Sequence, residues 1–89
     1  MMMKENILKE IQEILTNKLS VNIEHDITYE TSLLKDGLGL DSVMLLELII
    51  EMELSFDIEL DEDELTVEYF GCLDKIIELI QSKIGKKND

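Results

Sequence analysis

Apolar residues recur at helical spacing in three stretches of this chain, and the gaps between them are equally informative. In ENILKEIQEILTNKL, residues 5–19, Ile7, Leu8, Ile11, Ile14 and Leu15 share one face. Glu5, Lys9, Glu10, Glu13 and Asn17 fill the other, which predicts an amphipathic helix across the stretch. A final helix is predicted over CLDKIIELIQSKI, residues 72–84, with Leu73, Ile76, Ile77, Ile80 and Ile84 on one side. Gly85 is expected to stop it, and Lys83, Lys86 and Lys87 suit the negative end of the helix dipole.

Between these helices the pattern changes twice. From Ser20 to Leu40 periodicity fades into a loop of about twenty residues, longer than ordinary connections. Val21, Ile23, Ile27, Leu33 and Leu34 are spaced through it and are expected to plug into a core, which would keep it ordered. A helix should then begin at Asp41 or Ser42 and run to about Ser55. Beyond it Phe56, Ile58 and Leu60 alternate like a strand, but a lone strand leaves its backbone unpaired. An extended segment inserting alternate side chains is expected instead, followed by a short helical turn near Leu65 to Phe70. The predicted fold is all-α, with three main helices, one short helix and a long first loop.

The middle helix has more apolar surface than packing requires. At about 100° per residue, Leu45, Leu48, Ile49 and Met52 cluster as a core face. Val43, Ile50 and Leu54 lie away from them, with Leu46 nearby and Glu47 and Glu51 along the border. Either the long loop folds back over this second stripe, or the stripe is a docking surface with a carboxylate rim.

Composition narrows the class. Eighty-nine residues make one small domain, with its core expected over about residues 5–84 and frayed ends. With 33% charged and 45% hydrophobic residues the chain has a globular balance. Its 21 acidic and 8 basic residues give a formal net charge of −13, which argues against nucleic acid and anionic membranes as partners. A basic protein surface would be attracted instead. The apolar runs are too short and too interrupted by glutamates for stable membrane insertion, and MMMKENILKE lacks a signal-peptide core. A cytoplasmic monomer is expected. Cys72 is the only cysteine, which points to a buried structural thiol.

The chemistry turns on DGLGLDSVMLLEL, residues 36–48. Ser42 has an ordinary explanation, since serine is a preferred helix N-cap. Asp41 can cap equally well, and Ser42 would then be the first helical residue with a free hydroxyl. No Glu or Gln stands three residues after either, so no capping box forms there. A nucleophilic serine needs a base, and the only histidine, His25, is distant in sequence and fits a solvated loop residue better. Gly37 and Gly39 lack the remaining elements of a dinucleotide loop or P-loop. DIELDEDELTVE is dense in acids but lacks the turn glycine of a calcium loop, leaving weak, nonspecific divalent binding.

From LLKDGLGLDSVMLLELIIEMELSFDIEL, residues 33–60, the chain resembles an acyl carrier protein. A leucine-rich lead, a Gly-x-Asp-Ser element, a helix with Glu47 and Glu51, and FDIEL carry the resemblance, which extends over about Glu5 to Ser82. It implies a four-helix bundle without catalytic residues. It also implies a 4′-phosphopantetheine arm on Ser42, with Asp41 completing the motif, installed from coenzyme A by a phosphopantetheinyl transferase. Val43, Leu46, Glu47, Ile50 and Glu51 would face partners, namely acyl-loading and acyl-processing enzymes with basic surfaces. Leu48, Met52 and Phe56 would line the interior that shelters a fatty chain. Such a carrier serves fatty-acid, lipid or polyketide-type biosynthesis; an aminoacyl carrier or an unmodified helical adaptor are the alternatives. This chain departs from the fatty-acid pattern at Val43-Met44, at Leu54-Ser55 where glutamates are usual, and at Asp61 where proline is common. These changes make the partner face greasier and fit a specialised member as well as a housekeeping one.

Overall fold

The computed structural model describes residues 2–23 and 27–87, with side chains described as far as Gly85. Helix α1 spans Lys4–Glu13 and continues into a π-helical turn, Ile14–Lys18. Helix α2 is Ser42–Phe56, α3 is Val67–Phe70 after a 3-10 turn at Glu62–Glu64, and α4 is Leu73–Lys87. No strand occurs among the described residues. This is the predicted all-α bundle of three main helices, one short one and a long first loop.

The apolar face of α1 makes its helix useful. Ile7, Ile11, Ile14 and Leu15 are buried, and they meet Leu73, Ile76, Ile77 and Ile80 of α4 in one core. The regular α-helix predicted through Leu19 ends early, at Glu13. There the Thr16 hydroxyl donates to the Gln12 carbonyl at 2.8 Å, a side-chain bond that competes with the helical backbone. The following turn widens, with the Leu19 N–H donating to the Ile14 carbonyl at 3.1 Å across five residues. Helix α2 packs on this wide turn, while α3 packs on α4. Lys4 adds a polar tie between α1 and α4, reaching Glu78 at 3.2 Å and Asp74 at 3.3 Å. The hydrogen bonds it donates to Glu78 and then Asp74 hold its pKa above the ordinary lysine value.

The long loop is part of the core. Ile27, Leu33 and Leu40 are buried, and Val21, Ile23 and Leu34 pack beside them as expected. Its backbone is also paired across the molecule. The Leu33 N–H donates to the Phe70 carbonyl at 2.9 Å, the Leu73 N–H to Thr31 at 2.9 Å and the Asp74 N–H to Tyr29 at 2.7 Å. Such pairing satisfies groups that an irregular buried segment would otherwise leave stranded.

Several expectations need correction. Helix α4 does not stop at Gly85 but runs to Lys87. The backbone stays helical through Gly85, which does not take the positive φ of a left-handed glycine stop. Lys83 does not serve the helix terminus. Its ammonium lies 2.7 Å from Glu64 and 3.5 Å from Asp61, tying the 3-10 turn to α4. Phe56 is the last residue of α2 and not the start of an extended segment, because Asp57 takes the left-handed conformation at φ 55°. Ile58 and Leu60 then lie half-buried against the core, and Glu53 accepts the Leu60 N–H at 2.9 Å. The short helix is confined to Val67–Phe70. Cys72 is half-buried rather than buried, its thiol directed at the Tyr29 carbonyl at 3.4 Å. His25 lies outside the described residues.

Candidate functional site at the start of the second helix

Ser42 is placed by what precedes it. The loop from Ser32 to Leu40 folds into a hydrogen-bonded arch. The buried Ser32 hydroxyl donates to Asp36 at 2.6 Å and accepts the Leu34 N–H at 3.1 Å. The Ser32 carbonyl accepts from Leu38 at 2.8 Å, and the Leu33 carbonyl from Leu40 at 2.9 Å. Gly37 passes so close to Ser32 that a Cβ would overlap its carbonyl. Gly39 turns the chain with φ +70°, a conformation natural to glycine. Leu40 then enters the core, and the chain emerges at once into Asp41 and Ser42, both exposed.

Asp41, and not Ser42, caps the helix. It holds an extended backbone at φ −81° and ψ 177°, and its Oδ1 accepts the Met44 N–H at 2.8 Å. Ser42 is therefore the first helical residue. It belongs to the first turn, whose N–H groups have no carbonyl within the helix to bond and form the positive end of its dipole. An anionic group attached there would sit in a favourable field. The opposite end of the first turns is fixed by Leu48, which is fully buried, and by half-buried Leu45. A buried residue on each side thus holds an exposed hydroxyl on a rigid helix start.

The second stripe of α2 is open. Val43 is 62% exposed, Leu46 57%, Ile50 47% and Leu54 72%, so the long loop does not fold back over it. Glu47 beside the stripe is exposed and Glu51 partly so. The core face reads as expected at Leu48, Ile49 and Met52. Leu40 and the Ser32–Asp36 pair were not singled out by sequence as positioning residues; the regular leucines at 33, 34, 38 and 40 were their only signal. Val67, 72% exposed on α3, likewise stands out only in three dimensions. No group of three or more His, Cys, Asp or Glu side chains comes together as a metal site among the described residues.

Comparison with known proteins places this architecture in a class. The family model of the phosphopantetheine attachment site matches residues 9–80. The acyl carrier protein of Exiguobacterium sp. is 32% identical over 83 residues, covering 93% of this chain and 100% of the relative. That of Thermotoga maritima is 32% identical over 82 residues, covering 92% and 96%. That of Desulforapulum autotrophicum is 42% identical over 74 residues, covering 82% and 91%. The chain belongs to the acyl carrier protein family. Its role is that of an acyl carrier, with 4′-phosphopantetheine as a covalent prosthetic group.

Proposed function

We propose that Ser42 is the attachment point of the phosphopantetheine arm and that the chain itself performs no catalysis. The observation that carries this reading is the division of labour at the helix start. Asp41 takes the cap at 2.8 Å, so the exposed Ser42 hydroxyl has no capping duty. In the loading step the Ser42 oxygen bonds to the phosphorus of coenzyme A's pantetheine phosphate and 3′,5′-ADP leaves. The serine proton passes to a base of the phosphopantetheinyl transferase. When bound, the arm supplies a terminal thiol that holds acyl groups as thioesters.

The chain's own residues act around that link. The N-terminal N–H groups of α2 stabilise the phosphodiester charge. The arch from Ser32 to Leu40 holds the serine clear of the core. Val43, Leu46, Glu47, Ile50 and Glu51 present an apolar face with an acidic rim to acyl-loading and acyl-processing enzymes that carry basic surfaces. No helix among the described residues is long and apolar enough to cross a membrane. A cytoplasmic setting, where coenzyme A and such enzymes meet, fits this reading.

Intact mass after incubation with coenzyme A and a promiscuous transferase tests it. One phosphopantetheine group should be gained by the wild type and none by Ser42→Ala, with helical circular dichroism retained. A wild type left unmodified while a control carrier is loaded would leave the unmodified adaptor as the surviving account.

A further inference from the structure

The charge of this molecule is divided unevenly along the chain. Between Lys35 and Lys75 stand thirteen Asp and Glu residues and no Lys or Arg, which is the whole formal net charge of −13. Everything outside that stretch sums to zero. Helix α2 lies within it, so a basic surface is steered toward this part of the molecule. Steering governs approach; what a docked partner then touches is the stripe itself.

That stripe is longer than the partner face named above. Val43, Leu46, Ile50 and Leu54 follow steps of three, four and four, a continuous row on one side of α2. Leu54 is its far end, about 18 Å along the axis from Ser42 at 1.5 Å per residue. It is 72% exposed while Met52 and Phe56 on either side are buried, so the core makes little use of it. Glu51 is only half-buried and Glu53 is engaged with the Leu60 N–H, leaving carboxylates beside this leucine but none at its position.

Resting on the carrier reading of Ser42, we propose that Leu54 is a specificity-determining residue for acyl-processing partners. It favours an enzyme whose basic docking face carries an apolar pocket about 18 Å from where the arm enters, and disfavours one that presents a cation there. The physical reason is asymmetric. An apolar pocket gains by covering the leucine, whereas a lysine or arginine pressed against it loses water without gaining a partner charge.

The test is a double-mutant cycle with a purified ketoacyl synthase whose carrier-docking face is lined with lysine and arginine. Holo wild type and Leu54→Glu are compared as substrates, against the synthase and against variants with each docking cation replaced in turn by leucine. Leu54→Glu should improve kcat/KM with the unaltered synthase about threefold or more through the new ion pair, and added salt should remove the gain. One cation→Leu variant should reverse the preference in favour of Leu54. Equal kcat/KM for the two carriers, or no coupling at any cation, would overturn the proposal. Transferase loading, read by mass on the same samples, keeps the two ideas separate: failure of loading at Ser42 strikes the carrier reading, while normal loading without coupling strikes only Leu54.

Discussion

The carboxylate of Asp41 holds the Met44 N–H at 2.8 Å, and Ser42, its neighbour, lies outside that bond. On the proposed role of Ser42, the two residues separate stability from chemistry. Asp41→Ala should destabilise the fold by about 1 kcal/mol, as lost N-caps do. Ser42→Ala, a change at an exposed first helical position, should stay within about 0.5 kcal/mol of wild type. Urea unfolding followed by circular dichroism compares them directly. Equal losses from both would mean that Ser42 shares the capping role.

The two glycines of the arch should fail differently. Gly37→Ala drives a methyl into the Ser32 carbonyl, and overpacking of this kind costs about 1–3 kcal/mol. Gly39→Ala meets open space, so only its left-handed backbone resists, at about 1 kcal/mol. The sharper signature is on loading. Gly37→Ala moves the lead into Ser42 and should slow the transferase more than Gly39→Ala does, at temperatures where both remain folded.

Loop and helix residues should prove equal in the core. Leu33 sits in an irregular segment and Leu48 in a helix, yet both are fully buried. Either change to alanine should cost about 2–5 kcal/mol. Leu46→Ala, at 57% exposure, should leave thermal stability almost untouched while weakening partner binding. A mild effect at Leu33 would show that the loop is only draped over the core.

Lys83 predicts a pH dependence of stability. The hydrogen bond to Glu64, aided by attraction to Glu64 and Asp61, raises its pKa above the ordinary 10.5. A raised folded-state pKa means stability that is fully present below the unfolded value and lost as pH climbs through the folded one. Lys83→Met should therefore lower the urea midpoint at neutral pH, by the equivalent of about 1 kcal/mol or less for a partly exposed pair. The gap from wild type should close at pH above the ordinary lysine value. A gap unchanged by alkali would assign the effect to lost packing of the Lys83 stem.

Much of this arrangement was readable from spacing. Ile7, Ile11 and Leu15, like Ile76, Ile77 and Ile80, bury because burial repeats with the helical turn, and that repeat is visible in the chain. The second stripe at Val43, Leu46 and Ile50 was equally visible, because α2 carries two apolar faces, but that the long loop leaves it uncovered is seen only in the structure. What escaped was decided by single atoms. The widened turn at Ile14–Lys18 accompanies the Thr16 hydroxyl's bond to Gln12. Gly85 could have ended α4 by turning left-handed, but its backbone stays helical and the helix runs on to Lys87. Lys83 has partners more than fifteen residues away, which no local pattern names. The arch before Ser42 was foreseen as ordered, but its closure on Phe70 was not, since such a bond links distant carbonyls and leaves no mark on composition.

That closure has a consequence for when the serine becomes usable. Three backbone bonds, from Leu33 to Phe70, from Leu73 to Thr31 and from Asp74 to Tyr29, sew the lead into α2 onto residues some forty positions downstream. A nascent chain that has released Ser42 but not yet Phe70 through Asp74 has the hydroxyl without the seam that positions it. Presentation of the proposed attachment residue is then a property of the finished fold. Contacts so far apart in sequence slow the completion of a fold, and on the proposed reading of Ser42 its modification follows the synthesis of Phe70 to Asp74 rather than accompanying that of α2.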